Sequence, residues 1–144
     1  MMKNMLCELK NPECIIDYMI SKHQAPELII EYMKENQLPL TSRLSPWHNT
    51  ILHKAAFSGH IELIMHLHKL NFNLNIKDDL GQTPLFVCNN LNTVKCLIEC
   101  GADMNIVDDR YVTAICNYIE WDQQDIVDYL KEIGINTNNL SHWI

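Results

Sequence analysis

The chain has 144 residues, six cysteines and a net charge of −7 at neutral pH, enough for one domain that buries roughly two-thirds of its unfolded surface without a disulfide staple. The acid excess and the want of a basic stripe exclude a nucleic-acid surface built on counterion release, and no apolar run approaches the ~18 residues that span a bilayer. The cysteines follow no framework of spacings and no charged-then-apolar leader opens the chain, so a reducing, cytoplasmic setting is expected.

Residues 1–10 carry no clear signal beyond Met5, Leu6 and Leu9, which suit a helix packed on the first unit. At Asn11-Pro12 a helix start is well marked, because Asn caps and Pro suits the first turn; that helix is predicted to run to about Lys22. A turn at His23-Gln24-Ala25 precedes a second helix from Pro26, with Leu28, Ile29, Tyr32 and Met33 on its apolar stripe. Its IIEYMKEN reads much like DIVDYLKEIG near the other end of the chain, and the overlay sets Ile16 level with Thr50. Leu38 to Asn49, with two prolines and small polar residues, is predicted as an extended connection that ends in a hairpin-like finger with Trp47 near its tip.

From Thr50 the pattern becomes a unit. A helix of about two turns carries Leu52, Ala55 and Ala56, small and apolar at helical spacing, and needs a close neighbour. The antiparallel helix Ile61 to Lys69 supplies Leu63, Ile64, Leu67 and Leu70, yet two such short helices bury too little alone and must stack on further copies. Thr50, Leu52 and His53 are followed by Ala55-Ala56, Gly59-His60 and Ile61-Glu62-Leu63-Ile64; 33 positions on, Thr83-Pro84-Leu85-Phe86 repeats the opening, and Thr113-Ala114-Ile115-Cys116 gives a further copy. This resembles the T-P-L-H motif and the spacing of ankyrin repeats. Asn75 to Gln82 is similar to that family's inter-repeat finger, with Gly81 free to take positive φ, and Gly101-Ala102-Asp103-Met104-Asn105 to its closing G-A-D-x-N.

The second copy departs from the pattern. After Phe86-Val87-Cys88 come Asn89-Asn90 and then Leu91, so about three residues are missing and the Gly-His turn is gone. Asn90 is expected to replace the turn glycine in the left-handed region, after a first helix about a turn short. In the third copy Tyr111 replaces the finger glycine and Asp122 the glycine between helices. Its outer helix bears Gln124, Asp125, Asp128 and Lys131, polar as a terminal unit should be; Trp143 and Ile144 are expected to fold back over it.

The resemblance implies an all-α ankyrin-repeat solenoid of antiparallel helix pairs with hairpin-like finger loops. Residues 1–144 then form one domain: a degenerate N-terminal cap repeat at 11–40, repeat one at 45–77, a shortened repeat two at 78–107, repeat three at 108–138 and a tail at 139–144. Stability is shared between neighbouring units.

Seven histidines and six cysteines invite a metal or catalytic reading. His53 belongs to the T-x-L-H pattern, where the family's histidine fixes the repeat by hydrogen bonding near the threonine, and His60 follows the turn glycine in the same way. His66 and His68 point to different helix faces, and HIELIMH is not the HExxH spacing. Cys96 and Cys100 are four apart on one helix, but structural zinc sites carry tighter pairs on turns, and Cys96 falls on a core position. No local signature accompanies any cysteine nucleophile, and no glycine-rich phosphate loop is present. No enzyme, metal or cofactor is expected.

Ankyrin-like stacks recognise proteins through finger tips and first helices lining a concave face, so the resemblance implies a protein partner. Positions the repeat does not need for its own packing are Trp47, Asn49, Phe57 and Lys77, with Pro46 and Ser58 beside them; Asp79, Leu80, Gln82 and Asn90, with Val107; and Asp109, Arg110, Tyr111, Val112, Glu120 and Trp121. Among them Trp47, Phe57, Leu80, Tyr111 and Trp121 are large and apolar, the composition of an interface anchor patch. The competing expectation is that Trp47 serves to cover the edge of repeat one and Trp121 to fill the space left by the short helix of repeat two. The acid-rich last third, from Asp108 to Glu132, is either a solvated face or a surface that meets a basic partner.

The leading expectation is a non-catalytic protein-binding module, monomeric when free, with no nucleic-acid or membrane partner. Richness in Asn, Ile and Lys suits an AT-rich genome, and so a bacterial or viral effector acting in the host cytosol. Two alternatives are a metal- or thiol-dependent enzyme on a repeat scaffold and a homo-oligomerising structural protein.

Overall fold

The computed structural model describes residues 11–44, 48–138 and 140; the expectations for Met5, Leu6, Leu9, Pro46, Trp47, Trp143 and Ile144 fall outside them. Among the described residues there are seven α-helices and one 3-10 turn, in the order α1 (Pro12–Ser21), α2 (Pro26–Glu35), α3 (Ile51–Ser58), α4 (Ile61–Lys69), the 3-10 turn (Pro84–Phe86), α5 (Leu91–Glu99), α6 (Ile115–Glu120) and α7 (Gln124–Glu132). They pack in two layers. The inner one runs α1, α3, the 3-10 turn, α6; the outer one runs α2, α4, α5, α7, with each inner α-helix packed on the outer helix that follows it.

Local chemistry sets the helix ends. Asn11 accepts the Glu13 N–H at 3.0 Å and Pro12 opens α1, as caps of this type do. Matching the left-handed His23 (φ 49°) to Gly59 (φ 71°) sets Ile16 over Leu52 rather than over Thr50, which corrects the register expected from sequence. The stripe on α2 is also rotated: Ile29, Ile30 and Met33 are buried while Leu28 faces outward, and at the end of α4 Leu70 is likewise exposed. Both corrections have one cause, since the neighbouring pair covers only the face of α2 and α4 turned towards the stack.

His53 ties two units together. Its Nδ1 accepts from the Thr50 N–H (3.3 Å), so Nε2 carries the proton and donates to the Gln82 carbonyl at 2.8 Å. His60 repeats this device on α4, accepting the Leu63 N–H and donating to the Gln24 carbonyl at 2.7 Å. Burial holds the His53 pKa below its usual 6.5, outweighing the raising effect of the Gln82 carbonyl. An unfolded His53 therefore binds a proton more readily than the folded one, so stability rises with pH through this group. The contribution is fully present above about pH 6.5 and is lost as the pH falls from there towards the depressed folded value. Urea denaturation at pH 7.5 and 5.5 should show the acid loss, and His53→Phe should remove that part of the slope while lowering stability at pH 7.5. An unchanged slope in the variant would rule out this linkage.

The two fingers match bond for bond. In the first, Asp78 and Gln82 close the loop (Asp78 N to Gln82 O, 2.9 Å) while Asp78 Oδ1 accepts from the Leu80 and Gln82 amides. In the second, Asp108 N bonds the Val112 carbonyl at 3.0 Å and Asp108 Oδ1 accepts from Arg110 and Val112. The Asp109 N–H then donates to the Leu80 carbonyl (3.1 Å), joining finger to finger. A row of asparagines ties the opposite edge: Asn75 Oδ1 accepts the Asp103 N–H and Asn105 Oδ1 the Asn136 N–H, each at 2.8 Å.

Tyr111 (φ 62°) and Asp122 (φ 55°) keep the left-handed backbone of the glycines they replace. Such a conformation costs an L-residue about 1–2 kcal/mol, so Asp122→Gly should stabilise the chain by up to about 1 kcal/mol after the added chain entropy of glycine, measured as a higher urea midpoint.

Repeat two is where the pattern breaks. Its first helix is reduced to Pro84–Phe86, shorter than the missing residues alone suggest, and leaves backbone groups that a full helix would pair. The next unit pairs them. The Tyr118 hydroxyl donates to the Leu85 carbonyl and accepts the Cys88 N–H at 3.1 Å, and Asn117 Nδ2 donates to the Phe86 carbonyl at 3.0 Å. Tyr118 is fully buried, and it, not Trp121, fills the space beside the short element. The cap of α5 differs from expectation as well. Asn90 is extended (φ −155°, ψ 165°), and its Oδ1 accepts from Thr93 N at 2.9 Å. With the turn glycine gone, the chain enters α5 directly and needs a cap rather than a left-handed residue.

Candidate functional site

The inner helices and the fingers present one continuous face, and the positions proposed from sequence divide on it into three kinds. Phe57 (68% exposed) on α3, Leu80 (55%) on the first finger, Tyr111 (76%) on the second and Trp121 (46%) at the end of α6 are exposed apolar side chains. Lys77, Asp79, Asp109 and Glu120 are exposed and charged around them. Lys77 Nζ donates to the Val107 carbonyl at 3.1 Å, and Asp79 pairs with His48 at 2.6 Å.

Gln82 and Val112 do not belong to the surface. Gln82 is 8% exposed and its Nε2 donates to Asp108 Oδ2 at 3.2 Å, holding finger to finger; Val112 is buried beside Thr113 at the start of the next unit. The tip residues of each finger face solvent while its closing residue turns into the stack, and these two are the closing residues. Asn90 is exposed, but its side chain is committed to capping α5.

Arg110 is held by a network rather than offered at a tip. Its Nε donates to Asp108 (2.9 Å), and its terminal nitrogens donate to Asn117 (2.7 Å) and Glu120 (3.3 Å). Asp108 is buried, so this pair is screened less than a surface ion pair. The network runs from Gln82 through Asp108 and Arg110 to Asn117 and so to the Phe86 carbonyl, tying the second finger to α6.

Among the described residues, this face carries the two depressions that follow. One, of about 420 Å³ between α1 and α3, is lined by Asp17, Ile20, Asn49, Lys54 and Phe57. Lys54 and Asp17 pair at 2.7 Å there, and Asn49 Oδ1 is buried with no hydrogen-bond partner among the described residues. The other, of about 370 Å³, lies between the fingers and the end of α6, lined by Leu80, Asp109, Arg110, Glu120 and Trp121 above Gln82, Asp108 and Asn117. Trp121 is fixed there by edge-to-face contact with Tyr118, ring centres 5.7 Å apart, a favoured aromatic geometry.

Three of the thiols, those of Cys88, Cys96 and Cys116, are poor nucleophiles. Burial pushes Cys88 up to about 12 and Cys96 and Cys116 to about 11, so they stay protonated at neutral pH, and thiolate is the reactive form. Among the described residues no three His, Cys, Asp or Glu side chains converge on a point fit for a metal ion. No described helix is long and apolar enough to cross a membrane.

Sequence reasoning missed Tyr118 and Asn117, and with them the floor of the second depression. A signal existed. Counted from the unit's threonine, Tyr118 stands where the first unit has Ala55, and a large residue in a small-residue position directly after a shortened unit marks a filled gap. Asp17 and Ile20 lie in the first helix pair, which lacks the motif that marks surface positions, and Lys54 shows its role only through its ion pair with Asp17 across the two units.

A family model described as ankyrin repeats in three copies matches residues 7–108, most of the chain. No curated protein matches it.

Proposed function

Because this chain belongs to the ankyrin-repeat family, whose repeats are generally protein–protein interaction modules, we propose that it is a non-catalytic binding module that holds a partner protein on its concave face through Asn49, Phe57, Lys77, Asp79, Leu80, Asp109, Tyr111, Glu120 and Trp121. One observation carries this reading. Tyr111 keeps a left-handed backbone, which is costly for a bulky residue, while three-quarters of it is exposed, and the sister finger has Gly81 in the same place. Strain kept at an exposed site without gain in burial points to selection for contact. The acid excess supports a free monomer with no nucleic-acid partner, and the Asn, Ile and Lys richness supports an effector acting in host cytosol, so capture is made from eukaryotic cell lysate.

Tyr111→Gly separates binding from folding by moving them in opposite directions. Stability should rise by up to about 1 kcal/mol while capture of the partner falls. Replacing Phe57, Tyr111 and Trp121 together with Ala should abolish capture with the helical circular dichroism unchanged. Capture that survives the triple replacement would overturn the concave-face assignment.

A further inference from the structure

The depression between the fingers and the end of α6 has a chemical character that the binding reading alone does not specify. Its lining holds three carboxylates, Asp108, Asp109 and Glu120, against one cation. That cation, Arg110, is already paired with Asp108 at 2.9 Å and Glu120 at 3.3 Å, so the lining keeps an excess of negative charge. Asp122 follows Trp121 immediately, and Asp79 stands on the neighbouring finger. Beside these charges lie two exposed apolar groups, Leu80 and the Trp121 indole, the latter fixed from behind by the buried Tyr118 ring.

We propose that this depression is an anchor site for a cationic side chain, an arginine or lysine flanked by an apolar residue, in an extended segment of the partner. The inference rests on the protein-binding reading and adds the partner's chemistry. Three alternatives compare poorly on the same residues. An acidic segment meets like charge at Asp109 and Glu120. A purely apolar anchor strips water from those carboxylates and returns nothing to them. A cation alone, without an apolar neighbour, leaves Leu80 uncovered. A guanidinium or ammonium group satisfies the carboxylates through charge-assisted hydrogen bonds and stacks on an aromatic face, and the apolar neighbour covers Leu80. Aromatic and cationic anchors are the groups that dominate interface energies.

Panning a random dodecapeptide library displayed on phage against the immobilised full chain tests this, followed by calorimetric titration of the enriched peptides. The enriched sequences should carry Arg or Lys next to an aliphatic or aromatic residue. Their affinity should fall about tenfold or more with Trp121→Ala and, separately, with Asp109→Asn, and should weaken on raising the salt to about 0.5 M, as exposed charge pairs do. Asp109→Asn is an exposed, nearly isosteric change and keeps the test valid should Trp121→Ala disturb α6. Enriched peptides that lack a cation yet lose binding in Trp121→Ala overturn the cationic anchor and leave the concave-face reading standing. Peptides whose binding is indifferent to Phe57, Tyr111 and Trp121 overturn both, as does the absence of any enrichment.

Discussion

Tyr118→Ala is expected to destabilise the chain by about 3–5 kcal/mol, the cost of emptying a buried aromatic site, read from urea denaturation at neutral pH. Two losses combine there. The ring fills the volume beside the 3-10 turn, and the hydroxyl serves the Leu85 carbonyl and the Cys88 N–H at once. Tyr118→Phe isolates the second loss: with the ring retained, two buried backbone groups are left unpaired, at about 1–3 kcal/mol. Hydrogen exchange should place the effect in the neighbouring unit, with faster exchange at Phe86, Val87 and Cys88 than in α1 or α2. A Tyr118→Ala cost under about 1 kcal/mol would mean that the short element supports itself.

Gly81→Ala is expected to cost about 2–4 kcal/mol, from left-handed strain together with overpacking. Gly81 has φ +73°, and a Cβ added there would lie 2.9 Å from the Asp109 backbone nitrogen, closer than real Cβ contacts come. That nitrogen donates to the Leu80 carbonyl, so relief by movement would break the bond that joins the fingers. Gly134 supplies the control. It also has positive φ, but among the described residues no atom lies within 4 Å of its added Cβ, so Gly134→Ala should show the strain alone, about 1–2 kcal/mol. Equal costs at both positions would remove finger crowding from the explanation.

The repeat architecture was legible because its signals are local and recur: Thr50, Thr83 and Thr113 open the units, and Gly81 and Gly101 close backbone turns that few other residues tolerate. What stayed hidden depends on contacts between units. Tyr118 reads as an ordinary aromatic until the 3-10 turn beside it is known to lack partners. Gln82 and Val112 were placed on the surface because a finger was treated as wholly exposed, whereas its closing residues turn into the stack. By sequence Arg110 stands among the positions the repeat does not need for its own packing, but the buried carboxylate that fixes it is only two positions away in the same loop. Asn90 was assigned by propensity for left-handed backbone, and the need for a helix cap decided otherwise. The outward turn of Leu28 and Leu70 follows from where the next pair sits, which periodicity within one helix does not report.

Hydrogen exchange on the chain with and without a captured partner tests most directly whether the inner face is the binding surface. Protection is expected at residues 78–82, 108–112 and 117–121, with α2, α4 and α5 exchanging as in the free chain. Protection confined to those outer helices, with the fingers unchanged, would contradict it.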